Sequence, residues 1–168
     1  MSSVYDFRDY DKNLSLKLSI ELWLVAAYLM RPYIALISTL RMGRGGAKGI
    51  EGVDGFKRLL YSDDFSLALG IAATVPVILF FFALMRRKPG AGAFVRSVWR
   101  NGRILLAIAA VLNIIIVFVP IMTGVIARIH TAGWVQVVVP VIILAYLFTS
   151  RRVTDTFADF PKEQEAAS

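Results

Sequence analysis

Four long apolar runs divide this chain, and they leave few folds open to it. The runs span about residues 16–40, 65–85, 104–127 and 134–149, and the last three contain no charged residue. A transmembrane helix needs about 20 apolar residues, within a range of about 17 to 25. Backbone groups in lipid must be hydrogen-bonded within the chain, so each run is expected to form a transmembrane helix. The sequence therefore predicts an all-α membrane protein, with residues 1–168 forming a single four-span domain.

The composition supports this interpretation and excludes several classes of functional site. The chain is 57% hydrophobic with a mean hydropathy of +0.64, above an ordinary soluble domain. It has no cysteine, and His130 is its one histidine, so thiolate metal sites, cysteine nucleophiles and histidine clusters are excluded. We expect no metal and no cofactor. Basic cytoplasmic loops explain the net charge of +7, and we expect no nucleic-acid partner.

The loop between the second and third runs, residues 86–103, sets the predicted orientation. It holds no acid and six basic residues, which are Arg86, Arg87, Lys88, Arg96, Arg100 and Arg103. Cytoplasmic loops of membrane proteins gather Lys and Arg, so we expect this loop and both termini to be cytoplasmic. On that side the six cations are expected to contact anionic lipid headgroups.

Apolar residues alternate with the basic ones in the same loop. They fall on one side of a helix and are Phe94, Val95, Val98 and Trp99. This pattern predicts a short amphipathic helix lying on the membrane surface. The alternative is that the basic residues act only as the signal for topology.

The chain beyond the last run has two parts. Phe157 and Phe160 are expected to dock beneath the spans, where they meet Arg100 or Arg103. Residues 162–168 are polar and are predicted to form a disordered tail.

One charge stands deep inside the first apolar run. It is Arg31, and Pro32 follows it directly. A charge at membrane depth costs roughly 2.5 to 3.5 kcal/mol on insertion scales, so it needs a partner. Arg31 is therefore the strongest candidate for a structural or ligand-binding residue, and Pro32 is expected to kink the helix beside it.

Each of the four runs carries one proline, and prolines free main-chain carbonyls that Arg31 can bind. The prolines are Pro32, Pro76, Pro120 and Pro140. We expect Arg31, with five guanidinium donors, to meet some of these oxygens in the interior, near Asn113 and Gln136. Glu21 is the one acid within the same run, but about 15 Å along the helix axis separates it from Arg31. The alternative is that Arg31 snorkels to the outer headgroups.

Three segments resemble the YfeZ-like family, a group of small bacterial inner-membrane proteins of unknown function. They are Tyr5–Pro32 (YDFRDYDKNLSLKLSIELWLVAAYLMRP), Val98–Ala107 (VWRNGRILLA) and Ser150–Pro161 (SRRVTDTFADFP). The resemblance implies a multi-pass protein of the bacterial inner membrane with a compact four-span topology. It brings no activity, cofactor or catalytic residue to this chain.

Three functions remain open on the sequence. The first is a non-enzymatic accessory, assembly or scaffold subunit that acts through lipids and through a membrane-protein partner or further copies of itself. The second is a small oligomeric transporter or channel that uses Arg31 and the proline-kinked helices. The third is an enzyme on lipid or quinone, whose candidate groups are Asp63, Asp64, His130 and Glu21. Because no catalytic signature accompanies those groups, we expect the first.

Overall fold

A computed structural model gives the fold and describes residues 15–42, 61, 64–129 and 131–161. Within these ranges the chain forms eight helices and no strands, which confirms the all-α prediction. The helices are α1 (Ile20–Leu29), α2 (Arg31–Met42), α3 (Asp64–Ala73), α4 (Val75–Met85), α5 (Ala93–Arg100), α6 (Gly102–Met122), α7 (Thr131–Thr149) and α8 (Arg151–Ala158). The predicted tail, residues 162–168, lies outside the described residues.

Two helical stretches are long and apolar enough to cross a membrane. They are Asp64–Met85, formed by α3 and α4 together, and Gly102–Met122, which is α6. Two further pairs qualify only when their members are taken together: α1 with the first part of α2, bent by 54°, and α7 with α8, bent by 66°. The described residues thus hold two membrane-compatible helices, or up to four if each bent pair is one span.

Prolines explain why the first two apolar runs are broken into shorter helices. Pro32 is the second residue of α2, and Pro76 is the second residue of α4. Proline has no amide donor and disfavours helical backbone in the residue before it, so it suits the first turn of a helix. Pro120 and Pro140 instead lie inside α6 and α7. Two of the prolines therefore lie at helix starts, and two lie within continuous helices.

The third apolar run is longer than the helix it forms. The run continues to about residue 127, whereas α6 ends at Met122. Gly124 adopts a φ of 73°, and the amide of Val125 donates to the carbonyl of Pro120 at 2.8 Å. A left-handed glycine and bonds that return to the last turn close a helix C-terminus. Apolar character alone does not show where this helix stops.

α6 is the central helix of the fold. It packs against α7, α4, α3 and α1. Its buried residues include Ala107, Ala109 and Ala110, and such small side chains let helix backbones approach closely. The main core around it includes Leu22, Leu29, Val77, Phe80, Leu106 and Leu147.

A second, smaller apolar cluster lies away from the main core. It consists of Ala35, Tyr61 and Leu67, with Ile71 packed against it, and it fills the contact between α2 and α3. We call the end of the fold formed by residues 86–103 and α8 the basic end, and the end near Tyr61 the opposite end.

α5 and α8 close the basic end. α5 packs against α4, α6 and α8, while α8 also packs against α6 and α7. Phe157 of α8 is buried, and a Cβ added at Gly102 would lie 2.3 Å from its ring. Glycine at this position therefore permits the close approach of α8 to the start of α6.

Gly102→Ala is expected to destabilise the fold. The added methyl group displaces the Phe157 ring, and overpacking of this kind costs about 1–3 kcal/mol. Thermal unfolding of the full chain in mild detergent should show a lower melting temperature. Gly92→Ala is the matched control, since a Cβ there meets nothing within 4 Å. Equal melting temperatures for Gly102→Ala and the wild type would contradict this packing.

Candidate functional site

Trp99 lies at the centre of the basic end. It belongs to α5, which also packs Val95 and Val98 against the main core. The Trp99 ring centroid lies 6.1 Å from that of Phe80 and 5.3 Å from that of Phe157. A single buried side chain therefore joins α5 to α4 and α8.

The indole nitrogen of Trp99 binds the end of α8. Nε1 donates to the carbonyl oxygens of Thr156 at 3.2 Å and Asp159 at 3.0 Å. The last carbonyls of a helix have no amide partner within the helix, and burial without a partner is costly. Trp99 therefore satisfies the polar groups where α8 stops.

Arg87 adds a charge to the same place. Its Cζ atom lies 4.2 Å from the centroid of the Trp99 ring, which is a cation–π contact. Nη1 donates to the carbonyl of Leu16 at 2.9 Å, and Nη2 donates to the carbonyl of Asp159 at 3.1 Å. The Asp159 carboxylate accepts the Leu16 amide at 2.7 Å. We call Leu16, Arg87, Trp99 and Asp159 the Arg87 cluster, and it joins three distant parts of the chain.

Local sequence explains how α8 reaches this cluster. Ser150 is the N-cap of α8, and its hydroxyl accepts the amide of Val153 at 3.5 Å. A new helix therefore starts directly after α7 and turns away from it by 66°. Val153, Thr156 and Phe157 form the buried face of α8. This face holds α8 against α6 and beside α5.

Three arginines border the contact between α5 and α8. The Cζ atom of Arg96 lies 5.7 Å from the ring centroid of Phe160. Nη1 of Arg103 donates to the hydroxyl of Thr154 at 3.1 Å. Arg100 is exposed and makes no hydrogen bond, ion pair or ring contact within the described part of the chain. Its charge is therefore free to meet a ligand from outside.

Within the described part of the chain, Arg100 lines three open grooves. The first, of about 600 Å³, lies within residues 91–101, and the other two involve α8 or the residues just after it. One of these two, of about 520 Å³, is lined by Arg96 and Arg100 and by Phe160 and Pro161 beyond α8. The other, of about 270 Å³, is lined by Arg100, Arg103 and part of α8. Each of these two grooves therefore presents guanidinium groups beside apolar surface.

The six basic residues predicted to contact lipid fall into two groups. Arg87 is held within the Arg87 cluster, and both of its Nη atoms bind main-chain oxygens. Arg86 and Lys88 on either side of it are exposed, as are Arg96 and Arg100, while Arg103 is half-buried. Arg87 therefore differs from the other five in binding main-chain oxygens with both of its Nη atoms within the described part of the chain.

Phe157 and Phe160 both dock at the basic end. Phe157 packs on Trp99 and also lines the groove that contains Arg100 and Arg103. Phe160 lies against Arg96. The position of Trp99 on the apolar side of the predicted helix is the sequence feature that could have indicated its contact with Phe157. The Leu16–Asp159 bond had no such signal, because 143 residues separate its partners.

Arg31 is the first residue of α2 and is buried, with 8% of its surface exposed. Its Nη1 donates to the hydroxyl of Tyr28, and its Cζ lies 4.6 Å from the Tyr28 ring centroid. Its Nε atom is buried without a hydrogen-bond partner. Because Tyr28 precedes Arg31 by three residues, the helical spacing in the sequence could have indicated this pair.

The other residues proposed near Arg31 belong to α6, α7 and α1. Asn113 is buried in α6, and its Nδ2 donates to the carbonyl of Ala109 at 2.9 Å. Gln136 is buried in α7. Glu21 is exposed in the first turn of α1. Binding of Arg31 to carbonyls freed by the prolines stays a prediction.

The candidate catalytic groups are only partly described. His130 and Asp63 lie outside the described residues, and Asp64 is exposed in the first turn of α3. Among the residues that the structure describes, no group of three or more His, Cys, Asp or Glu could hold a metal ion.

Comparison with known proteins places the chain in a family. Residues 5–159 match the family described as protein of unknown function (DUF2919). The chain belongs to this family. No curated protein and no solved structure matches it. The match does not name a YfeZ-like family, so that finer resemblance stays a prediction.

The DUF2919 match covers all the residues of the Arg87 cluster. The cluster also draws on each of the three segments that resemble the YfeZ-like family: Leu16 on the first, Trp99 on the second and Asp159 on the third. Segments far apart in the chain thus meet at one end of the fold. We take the basic end as the candidate functional site.

Arg87→Gln is expected to destabilise the basic end. The variant loses two hydrogen bonds from a charged group, each of which contributes about 1.5–3 kcal/mol in typical proteins. We expect a lower melting temperature and faster proteolysis at Arg151 and Arg152. Arg86→Gln is the matched control, since Arg86 is exposed and stacks only on Phe82. If both variants have the melting temperature of the wild type, the Arg87 cluster does not stabilise this end.

Proposed function

We propose that this protein is a non-enzymatic membrane protein that acts as an accessory, assembly or scaffold subunit. The basic end makes its working contacts, with anionic lipid headgroups and with a membrane-protein partner or another copy of the chain. The observation that carries the proposal is the exposed Arg100, which lines three grooves and has no partner within the described part of the chain.

The proposed topology has four spans in the bacterial inner membrane. α1 with the first part of α2 then counts as one span and α7 as another, beside Asp64–Met85 and Gly102–Met122, while α8 lies at the basic end. The excess of Lys and Arg in residues 86–103 favours a cytoplasmic position for the basic end and both termini.

α5 supports the proposed contact with the membrane surface. Phe94 is exposed, and its ring centroid lies 6.5 Å from that of the exposed Phe82 in α4. Arg96 and Arg100 lie on the same helix and are exposed to an approaching headgroup. An interfacial helix combines such apolar and basic groups, and each basic residue near an anionic surface contributes about 1 kcal/mol.

The buried polar groups of the basic end favour a structural role over catalysis. Trp99 and Arg87 direct their donors at main-chain carbonyls, and the Asp159 carboxylate accepts a main-chain amide. Catalytic groups instead need to reach a substrate. These three side chains are committed to holding the fold.

A small oligomeric transporter or channel is the second candidate. The buried Arg31 favours it, because this charge lies where α1 and α2 meet at a 54° bend. Broken helices and buried charges mark the substrate sites of many transporters. An Arg31→Gln variant that abolishes a solute flux in vesicles, while Arg100→Gln does not, would favour this candidate over the first.

The proposed topology can be tested with single cysteines, because the chain has none of its own. Gly92→Cys lies at the basic end, and Ala127→Cys lies at the opposite end; both positions are exposed. In intact bacterial cells a membrane-impermeant maleimide should label Ala127→Cys and not Gly92→Cys. After the inner membrane is opened both should react. Labelling of Gly92→Cys in intact cells would reverse the proposed orientation.

Lipid selectivity tests the proposed function of the basic end. The full chain in mild detergent is titrated with phosphatidylglycerol or phosphatidylcholine, and native mass spectrometry counts the bound lipids. We expect several-fold stronger retention of the anionic lipid, weakened by salt because exposed charges are screened. The double variant Arg96→Gln, Arg100→Gln should lose this preference.

Arg128→Gln is the matched control for the lipid experiment. It removes an exposed arginine at the opposite end and should leave the preference unchanged. Equal retention of both lipids by the wild type would overturn the proposal. The same spectra report the oligomeric state and any protein that remains bound.

A further inference from the structure

Two buried polar groups at the opposite end lack hydrogen-bond partners. They are the Nε of Arg31 and the hydroxyl of Tyr61. Arg31 is 8% exposed and Tyr61 is 4% exposed, so water outside the fold does not satisfy them. An unsatisfied buried polar group costs about 1–3 kcal/mol, and more if it is charged.

The two groups lie close together. Tyr61 packs with Ala35, which follows Arg31 by one helical turn in α2, and the Arg31 guanidinium lies close enough to interact with the hydroxyls of both Tyr28 and Tyr61. Tyr61 is held between α2 and α3, where it packs with Ala35 and Leu67. Donors from α2 and from the segment before α3 therefore converge on one buried place.

Among the described residues no acidic side chain forms an ion pair with Arg31. Within the described part of the chain, Arg31 makes a hydrogen bond and a ring contact with Tyr28 and forms no ion pair. A buried guanidinium without a counter-charge is unfavourable by several kcal/mol. The tyrosine hydroxyls supply dipoles but no negative charge.

Charge and hydrogen-bond donors at this place favour one class of ligand. Arg31 supplies a buried guanidinium and Tyr61 a buried phenol hydroxyl. The start of α2 supplies no further donor from the next three residues, because Pro32 has no amide hydrogen and the amides of Tyr33 and Ile34 both donate to the carbonyl of Met30.

We propose that Arg31 and Tyr61 bind an oxyanion, a phosphate or carboxylate group, between α2 and α3. The oxyanion accepts hydrogen bonds from Nε of Arg31 and from the Tyr61 hydroxyl, while Nη1 stays with Tyr28. A planar guanidinium suits such an oxygen pair. The group is either a free anion or part of a lipid headgroup. The site shares no residue with the basic end, so it stands apart from the proposed lipid contacts.

Titration of the full chain, purified and delipidated in mild detergent, tests the site. Inorganic phosphate or acetate is added at constant ionic strength against chloride, and the melting temperature is followed. Bound phospholipid is measured in parallel as phosphorus retained before delipidation. If the oxyanion is free, phosphate or acetate raises the melting temperature. If it is a headgroup, the wild type retains about one phospholipid per site.

Two conservative variants test the residues. Arg31→Lys keeps the charge and loses Nε, and we expect at least about ten-fold weaker binding of the anion or lipid. Tyr61→Phe removes one hydroxyl, and we expect about three- to ten-fold weaker binding. Tyr61→Phe removes only the hydroxyl oxygen and its hydrogen, so we expect this variant to fold. It therefore tests the site even if Arg31→Lys does not fold.

Matched controls exist on the same elements. Tyr33→Phe removes a neighbouring hydroxyl from α2, and Arg128→Gln removes an exposed arginine from the same end. Both should bind as the wild type does, as should Arg100→Gln at the basic end. The proposal is overturned if phosphate and acetate act no differently from chloride and lipid retention is equal in the wild type and Tyr61→Phe.

Discussion

The hydrogen bonds that Arg87 and Trp99 donate to main-chain carbonyls hold the basic end together. The carbonyl of Asp159 accepts from both side chains, and its carboxylate accepts the amide of Leu16. Short helices such as α5 and α8 are marginal on their own, because too few hydrogen bonds offset the ordering of their backbone. Tertiary bonds to their ends therefore decide where they lie. Two of the three grooves lined by Arg100 also include residues of α8, so they depend on the position of α8 against α5.

Arg87, which is half-buried, and Arg31, which is buried, make different kinds of contact. Arg87 has main-chain oxygens for both Nη atoms and an aromatic ring against its face. Arg31 has Tyr28 for one Nη atom and leaves its Nε without a partner. Within the described residues the Nε atom of Arg87, like that of Arg31, makes no hydrogen bond, but both Nη atoms of Arg87 bind main-chain oxygens, which fits a structural role. At Arg31 the unbonded Nε lies near the Tyr61 hydroxyl, which also makes no hydrogen bond in this part of the chain, and this pair of groups fits binding.

Much of the fold could be predicted from the sequence, because helical spans follow from apolar length. The runs at 65–85 and 134–149 correspond to α3 with α4 and to α7. The short helix at Ala93–Arg100 also follows the predicted pattern of apolar and basic residues. The contacts that form the two sites were harder to predict from the sequence. Tyr28 lies one turn from Arg31 and was accessible to helical spacing, whereas Tyr61 belongs to a distant segment and was not.

By itself the sequence determined that the chain is helical, that its longest helices are compatible with a membrane, and that positive charge collects between α4 and α6. These properties depend on local composition. Only the tertiary structure decided that Arg87 is internal while Arg100 is exposed, and that Tyr61 lies near Arg31. Composition treats all arginines of one loop alike. Their roles differ because the tertiary fold brings Arg87 to main-chain oxygens that are more than 70 residues away in the sequence, while it leaves Arg100 exposed.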